Sequence, residues 1–156
     1  MRRELDRIDR RILDELQADG RLSIVELASR VNLTNTPCSE RVRRLEKAGL
    51  IKKYAAVVDP ELLGYAHLSV VQVSLAATAD GNLDTFNRAV QRIPEVESCL
   101  MIAGSFDYVL IVRTRDMAHF RAILGDEISK LPGIRQSNSF AVMEVVKDVR
   151  EFKVSN

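Results

Sequence analysis

Two prolines, each closing an apolar helical run and followed at once by a strand-like stretch, constrain this 156-residue chain more than any other feature. In the first instance Leu83, Phe86, Val90 and Ile93 recur at helical spacing and stop at Ile93-Pro94-Glu95-Val96. In the second, Met117, Phe120, Leu124, Ile128 and Leu131 recur likewise and stop at Leu131-Pro132-Gly133-Ile134. Proline ends each helix because it disfavours helical geometry in the residue before it. Strand-like runs surround both helices: Leu68–Leu75 before the first and Val96–Ala103 after it, then Phe106–Thr114 before the second and Ile134–Val146 after it. The order is β-α-β-β-α-β, the split arrangement of ferredoxin-like domains. Its helices cover one sheet face only. In the first run Leu68 and Val70 point one way while Val71, Val73 and Leu75 point the other, so both faces ask for cover. A second subunit is the simplest cover for the bare face, which predicts a homodimer.

The first third has a different period. Leu5, Ile8, Ile12, Leu13 and Leu16 mark a helix that Gly20 stops. Ser23 and Glu26 have capping-box spacing at the start of a second helix carrying Ile24, Leu27, Ala28 and Val31 on one face. After the short turn Asn32-Leu33-Thr34, a third helix runs to Ala48, with Gly49 suited to the left-handed residue beyond it. Two helices joined by so short a turn describe a helix-turn-helix. The β-branched and aromatic stretch Ile51–Val58 predicts a further strand, and Asp59-Pro60 breaks it. The domains expected are therefore a winged helix-turn-helix over 1–58, a hinge over 59–66 and a ferredoxin-like domain over 67–156, an α+β chain throughout.

Charge agrees with this division. The net charge is only +1, but Met1–Lys53 holds 13 Lys+Arg against 9 Asp+Glu, and the remainder holds 10 against 13. A basic first part suits a polyanion. On the third helix Cys38, Val42 and Leu45 share an inward face, while Thr36, Glu40, Arg43, Arg44 and Lys47 gather on the outward one. The start of such a helix enters the major groove. Thr34, Asn35, Thr36, Ser39, Glu40 and Arg43 are thus candidate base readers, and Arg44, Lys47, Lys52 and Lys53 candidate phosphate contacts. Double-stranded DNA is the expected partner.

Other classes fare worse. His67 and His119 have no acid or nucleophile at recognisable spacing, and no phosphate loop, H-E-x-x-H or C-x-x-C occurs, so no enzyme is expected. Cys38 and Cys99 lack metal-ligand spacing and read as reduced, buried thiols, with no metal or cofactor implied. No apolar run is long enough to span a membrane, and the charged start has no signal-like region, which points to the cytoplasm.

The residues Leu5-Asp6-Arg7-Ile8-Asp9-Arg10-Arg11-Ile12-Leu13 and Thr36-Pro37-Cys38-Ser39-Glu40-Arg41-Val42-Arg43-Arg44-Leu45-Glu46 resemble the DNA-binding half of the leucine-responsive/AsnC (Lrp/AsnC, feast/famine) regulators. Val58-Asp59-Pro60 with Leu63-Gly64 is similar to that family's hinge, Gly104-Ser105-Phe106-Asp107-Tyr108 to its ligand loop, and Phe140-Ala141-Val142-Met143-Glu144 to its final strand. Asn35 departs from the family, which often has proline there. The resemblance implies a transcription regulator that dimerises through its α+β domains and assembles further, commonly to an octamer. It also implies an amino-acid effector, with leucine, methionine or alanine favoured, bound between dimers near Gly104, Ser105, Phe106 and Asp107. A glycine-containing turn can offer N–H groups to an α-carboxylate, and Asp107 can accept an α-ammonium. Tyr108, Met101 and Met117 would border the side chain, with Ser137 and Ser139 contributed by a neighbouring subunit. Residues 104–107 also fit a plain hairpin connection in which Asp107 bonds the turn. A protein that coats or bends DNA without sensing any ligand fits the same sequence.

Overall fold

In the computed structural model, residues 5–76, 80–147 and 154 are described. Contacts divide the chain into two units, Met1–Val57 with Lys147–Asn156, and Val58–Val146.

The first unit is built on three helices: α1 (Arg7–Ala18), α2 (Ile24–Arg30) and α3 (Asn35–Lys47). Their starts follow from local chemistry. Asp6 caps α1 by accepting the Asp9 N–H, and Ser23 with Glu26 forms the complete capping box at α2. Asn32 takes a left-handed φ of 57°, which asparagine tolerates better than most residues, and the Leu33 N–H returns to the Ala28 carbonyl to close the turn into α3. Pro37 falls in the first turn of α3, where its missing N–H leaves no bond unmade. Gly49, at φ 72°, reverses the chain after α3. Ile12, Leu27, Ala28, Val31, Cys38, Val42 and Leu45 form the core.

Residues 51–58 differ from expectation: they lie in no strand and are mostly exposed, Val57 at 74%. This unit offers them no neighbouring strand, and a strand cannot form without a partner for its backbone. The end of the chain also differs. Val154 groups with the helical unit rather than with the sheet, because its N–H reaches Asp14 Oδ1 at 2.9 Å and its carbonyl accepts from Arg10 at 3.0 Å.

The second unit has the expected order: β1 (His67–Leu75), α4 (Asp80–Val90), β2 (Val96–Met101), β3 (Tyr108–Thr114), α5 (Met117–Asp126) and β4 (Ile134–Ala141). The sheet is antiparallel, with spatial order β2-β3-β1-β4. Val71, Val73, Leu75, Tyr108, Leu110 and Val112 face the helices and pack with Phe86, Val90, Phe120 and Ile128. The elements are shorter than the apolar runs suggested. Ile93 lies beyond α4 in a closing turn, and α5 stops at Asp126 before a separate 3₁₀ turn, Ile128–Lys130, that carries Ile128 into the core. β4 ends at Ala141 because β1 begins at His67 and offers little beyond one more bond, from the Val142 N–H to the Leu68 carbonyl.

On the uncovered face, pairing aligns Val70 with Ile111 on one side and Phe140 on the other, and Leu100 with Val109. Leu100 and Phe140 are about half exposed, at 55% and 51%.

Candidate nucleic-acid interface and ligand loop

The inward face of α3 is fixed by Cys38, Val42 and Leu45, all buried. That burial fixes what points outward. Thr34, Asn35, Thr36, Glu40, Arg43, Arg44 and Lys47 are exposed, Ser39 is partly so, and Lys52 and Lys53 are exposed beyond the helix. Thr34 occupies the N-cap position without a side-chain capping bond, and Asn35 is the first helical residue. The structure thus gathers Thr34, Asn35 and Thr36 at the exposed start of the helix. Arg43 and Lys47 share a shallow depression with Glu40, Arg44 and Ala48, and neither cation has an ion-pair partner among the described residues. Unpaired cations on an exposed helix face are what a phosphate backbone attracts.

Arg44, a candidate phosphate contact, is also held from α1. Its Nη2 donates to both oxygens of Asp9, each at 2.8 Å. Arg41, which the sequence reading left out of the site, reaches Asp9 Oδ1 at 2.7 Å and also pairs with Asp6. The Arg41 guanidinium holds the Asp6 carboxyl below its ordinary range, helped by the Asp9 backbone N–H. One signal in the sequence marks this cluster: Asp9 lies on the same helical stripe as Ile12, Leu13 and Leu16, where a charge demands a partner.

Burial pushes the Cys38 and Cys99 thiols up, and both cysteines are free. Among the described residues no cluster of His, Cys, Asp and Glu could hold a metal, and no helix is long and apolar enough to cross a membrane.

The loop between β2 and β3 is pinned to β1 by Asp107. Its N–H bonds the Val73 carbonyl at 2.9 Å, its carbonyl accepts from Ile102, and its Oδ2 accepts the Leu75 N–H at 2.7 Å. The carboxylate therefore bonds the end of β1 rather than the turn itself, and only Oδ1 is left without a hydrogen bond among the described residues. Gly104 and Ser105 are exposed and Phe106 partly so, leaving the loop open to solvent. Met101, at 59% exposure, stands at the near end of β2.

Met117 does not join them as expected, and Tyr108, though paired with Met101 across β2 and β3, is turned into the core. Tyr108 is 1% exposed, its ring 4.5 Å from that of Phe86, so it belongs to the core. Its hydroxyl makes no hydrogen bond among the described residues; the Asn87 amide lies close enough to favour the ionised form slightly, but burial dominates and raises the phenol pKa. Met117 follows β3 at its far end, about 20 Å of strand away from the loop. Ser137 pairs with Val73, whose carbonyl also binds Asp107, so it lies about 10 Å from the loop's end across β1. Ser139 is two pairs farther along, beside Val71.

Comparison with known proteins agrees with both halves of this geometry. Residues 5–52 match the model of a winged helix-turn-helix DNA-binding domain, and residues 68–152 match that of the Lrp/AsnC ligand binding domain. Leucine-responsive regulatory proteins of Escherichia coli K12 and Salmonella typhimurium LT2 are each 46% identical to this chain over 145 residues, 93% of it and 88% of theirs. Among solved structures, a Neisseria meningitidis transcriptional regulator in complex with L-methionine aligns with TM-score 0.89 and 34% identity over 96% of each chain. An AsnC family regulator from Agrobacterium tumefaciens aligns with TM-score 0.90 and 33% identity, over 95% of this chain and 96% of that one. A feast or famine regulatory protein from Mycobacterium tuberculosis, complexed with L-methionine, gives 0.87 and 31%, over 96% and 99%. The chain belongs to the Lrp/AsnC family, whose members are transcription regulators with a DNA-binding and a ligand-binding domain rather than enzymes.

Proposed function

We propose that this regulator binds DNA as a homodimer, and as higher oligomers up to an octamer, with an apolar amino acid shifting its assembly or DNA affinity. Two features together carry the reading: an exposed α3 face on which Arg43 and Lys47 have no ion-pair partner among the described residues, and a loop in which Gly104 and Ser105 are exposed. Dimerisation would cover Val70, Ile111, Val109, Leu100 and Phe140 on the bare sheet face, and would set two α3 helices into successive major grooves. Thr34, Asn35, Thr36, Ser39, Glu40 and Arg43 would read bases, with Lys47, Lys52 and Lys53 on phosphates and Arg44 reaching one while still held by Asp9.

For the effector, the loop N–H groups of Gly104 and Ser105 suit an α-carboxylate, and Asp107 Oδ1 is the oxygen left for an α-ammonium. Met101 and Phe106 would border its side chain, with Ser137 and Ser139 of another subunit completing the site. Methionine heads the candidates, because two relatives with similar folds carry it, ahead of leucine and alanine. An effector acts only through different affinities for two states of the protein. A thermal-shift screen against the twenty amino acids tests this. Ligand at a hundredfold excess over Kd raises stability by about 2.7 kcal/mol. A selective shift for an apolar amino acid, weakened by Asp107→Asn, is the expected result; no shift with any of the twenty would refute an amino-acid effector.

A further inference from the structure

Among the described residues Asp9 is the only charged side chain that is buried, at 4% exposure. It closes a line of four charges across the α1–α3 seam: Asp6, Arg41, Asp9 and Arg44. A buried carboxylate is a poor device for stability alone, since apolar replacements of buried ion pairs are often neutral or better. What it does here is geometric. Arg41 and Arg44 are three residues apart and so share one flank of α3. Gripping both from α1 fixes the rotation of α3 about its own axis.

Arg44 also borders two different spaces. One is the small hollow of about 130 Å³ in the seam, with Leu5, Asp6 and Asp9; the other is the outward depression with Arg43 and Lys47. Its side chain is 45% exposed, and of its guanidinium nitrogens only Nη2 is used among the described residues. Because Asp9 orders this side chain at folding, its rotamer freedom is not lost again when a phosphate is met.

We propose that Asp9 is a positioning residue for DNA recognition: by clamping Arg44 and Arg41 it sets the angle of α3 in the groove and presents the outer edge of Arg44 to one phosphate. Asp9 touches no DNA itself. The inference rests on the DNA-binding reading above, and it makes a sign prediction of its own. Removing a negative charge beside α3 strengthens the general attraction to DNA, while losing the clamp weakens discrimination.

The test uses the full chain carrying Asp9→Asn, which keeps the shape and removes the charge. Two duplexes serve as probes: one selected from a random pool by the native protein, and a scrambled duplex of the same composition. Affinities are read by fluorescence anisotropy over a salt series, at a temperature where circular dichroism shows the variant folded. The expected result is an at least tenfold fall in the ratio of selected to scrambled affinity, with binding to the scrambled duplex equal or tighter. An unchanged ratio, or equal weakening on both duplexes, would overturn the proposal and leave Asp9 a structural residue. Should Asp9→Asn fail to fold, Arg44→Lys keeps the charge and loses the two-oxygen grip. It must lower the same ratio at unchanged salt slope, and an unchanged ratio again refutes the proposal. Failure of the native protein to select any duplex would refute DNA reading itself, a distinguishable outcome.

Discussion

Tyr108→Phe should stabilise the ligand-binding unit. The native hydroxyl is buried and makes no hydrogen bond among the described residues, while the ring packs on Phe86 at 4.5 Å and would stay in place. A buried polar group without a partner carries a desolvation cost of about 1–3 kcal/mol. The nearby Asn87 amide offsets part of it, so a gain of about 1 kcal/mol is expected. In a domain of 60–100 residues, the size class of Val58–Val146, each kcal/mol moves the midpoint by about 4–8 °C. Differential scanning calorimetry at matched protein concentration reads this directly, since assembly shifts the midpoint too. Tyr108→Leu provides the contrast: it removes the hydroxyl and the ring pair together and should cost about 1–3 kcal/mol. A lower midpoint for Tyr108→Phe would show the hydroxyl satisfied in solution and would refute the reasoning.

Other perturbations have equally definite signs. Ser23→Ala breaks the capping box of α2 and should cost the helical unit about 0.5–2 kcal/mol, read by chemical denaturation. Asp6 has its pKa lowered by Arg41, so its contribution is present above the ordinary carboxylate range. That contribution is lost as pH falls through the folded value, and Asp6→Asn should flatten the acid limb of a stability–pH curve. Burial and the Glu46 bond push Tyr54 up to about 12, so folding favours its protonated form. Absorbance titration should show Tyr54 ionising near that pH, identified by the fall in that step on Glu46→Gln. Phe140→Asp places a charge on the bare sheet face and should shift sedimentation toward monomer; an unchanged oligomer would exclude that face as the dimer contact.

Much of this architecture was legible locally. The Ser23–Glu26 box and the Gly49 reversal depend on neighbours within a few residues, and each stands where the pattern put it, whereas the helices ahead of the two prolines end short of them, at Val90 and Asp126. What was not legible depends on partners far along the chain. Asp9 meets Arg41 and Arg44 across 32 and 35 residues, and Asp107 meets Leu75 across 32, separations at which periodicity says nothing. The β-branched run 51–58 misled because composition favours a strand while only a neighbouring strand makes one. Tyr108 misled for the opposite reason. Its place next to the loop in sequence suggested a ligand contact, but strand alternation turns it toward the helices.

One molecule that senses an amino acid must couple its DNA affinity to that ligand. Anisotropy titration of a selected duplex with the native protein, with and without saturating L-methionine, measures that coupling. Across the candidate effectors, at least one apolar amino acid should change DNA affinity, or the assembly that binds, by about 5–150-fold, the usual size of such couplings. Arg43→Ala should abolish tight DNA binding without affecting the effector's own binding. Identical titrations with and without methionine, leucine and alanine, in a protein that binds the duplex normally, would rule out this coupling and leave a DNA-binding protein that senses none of them.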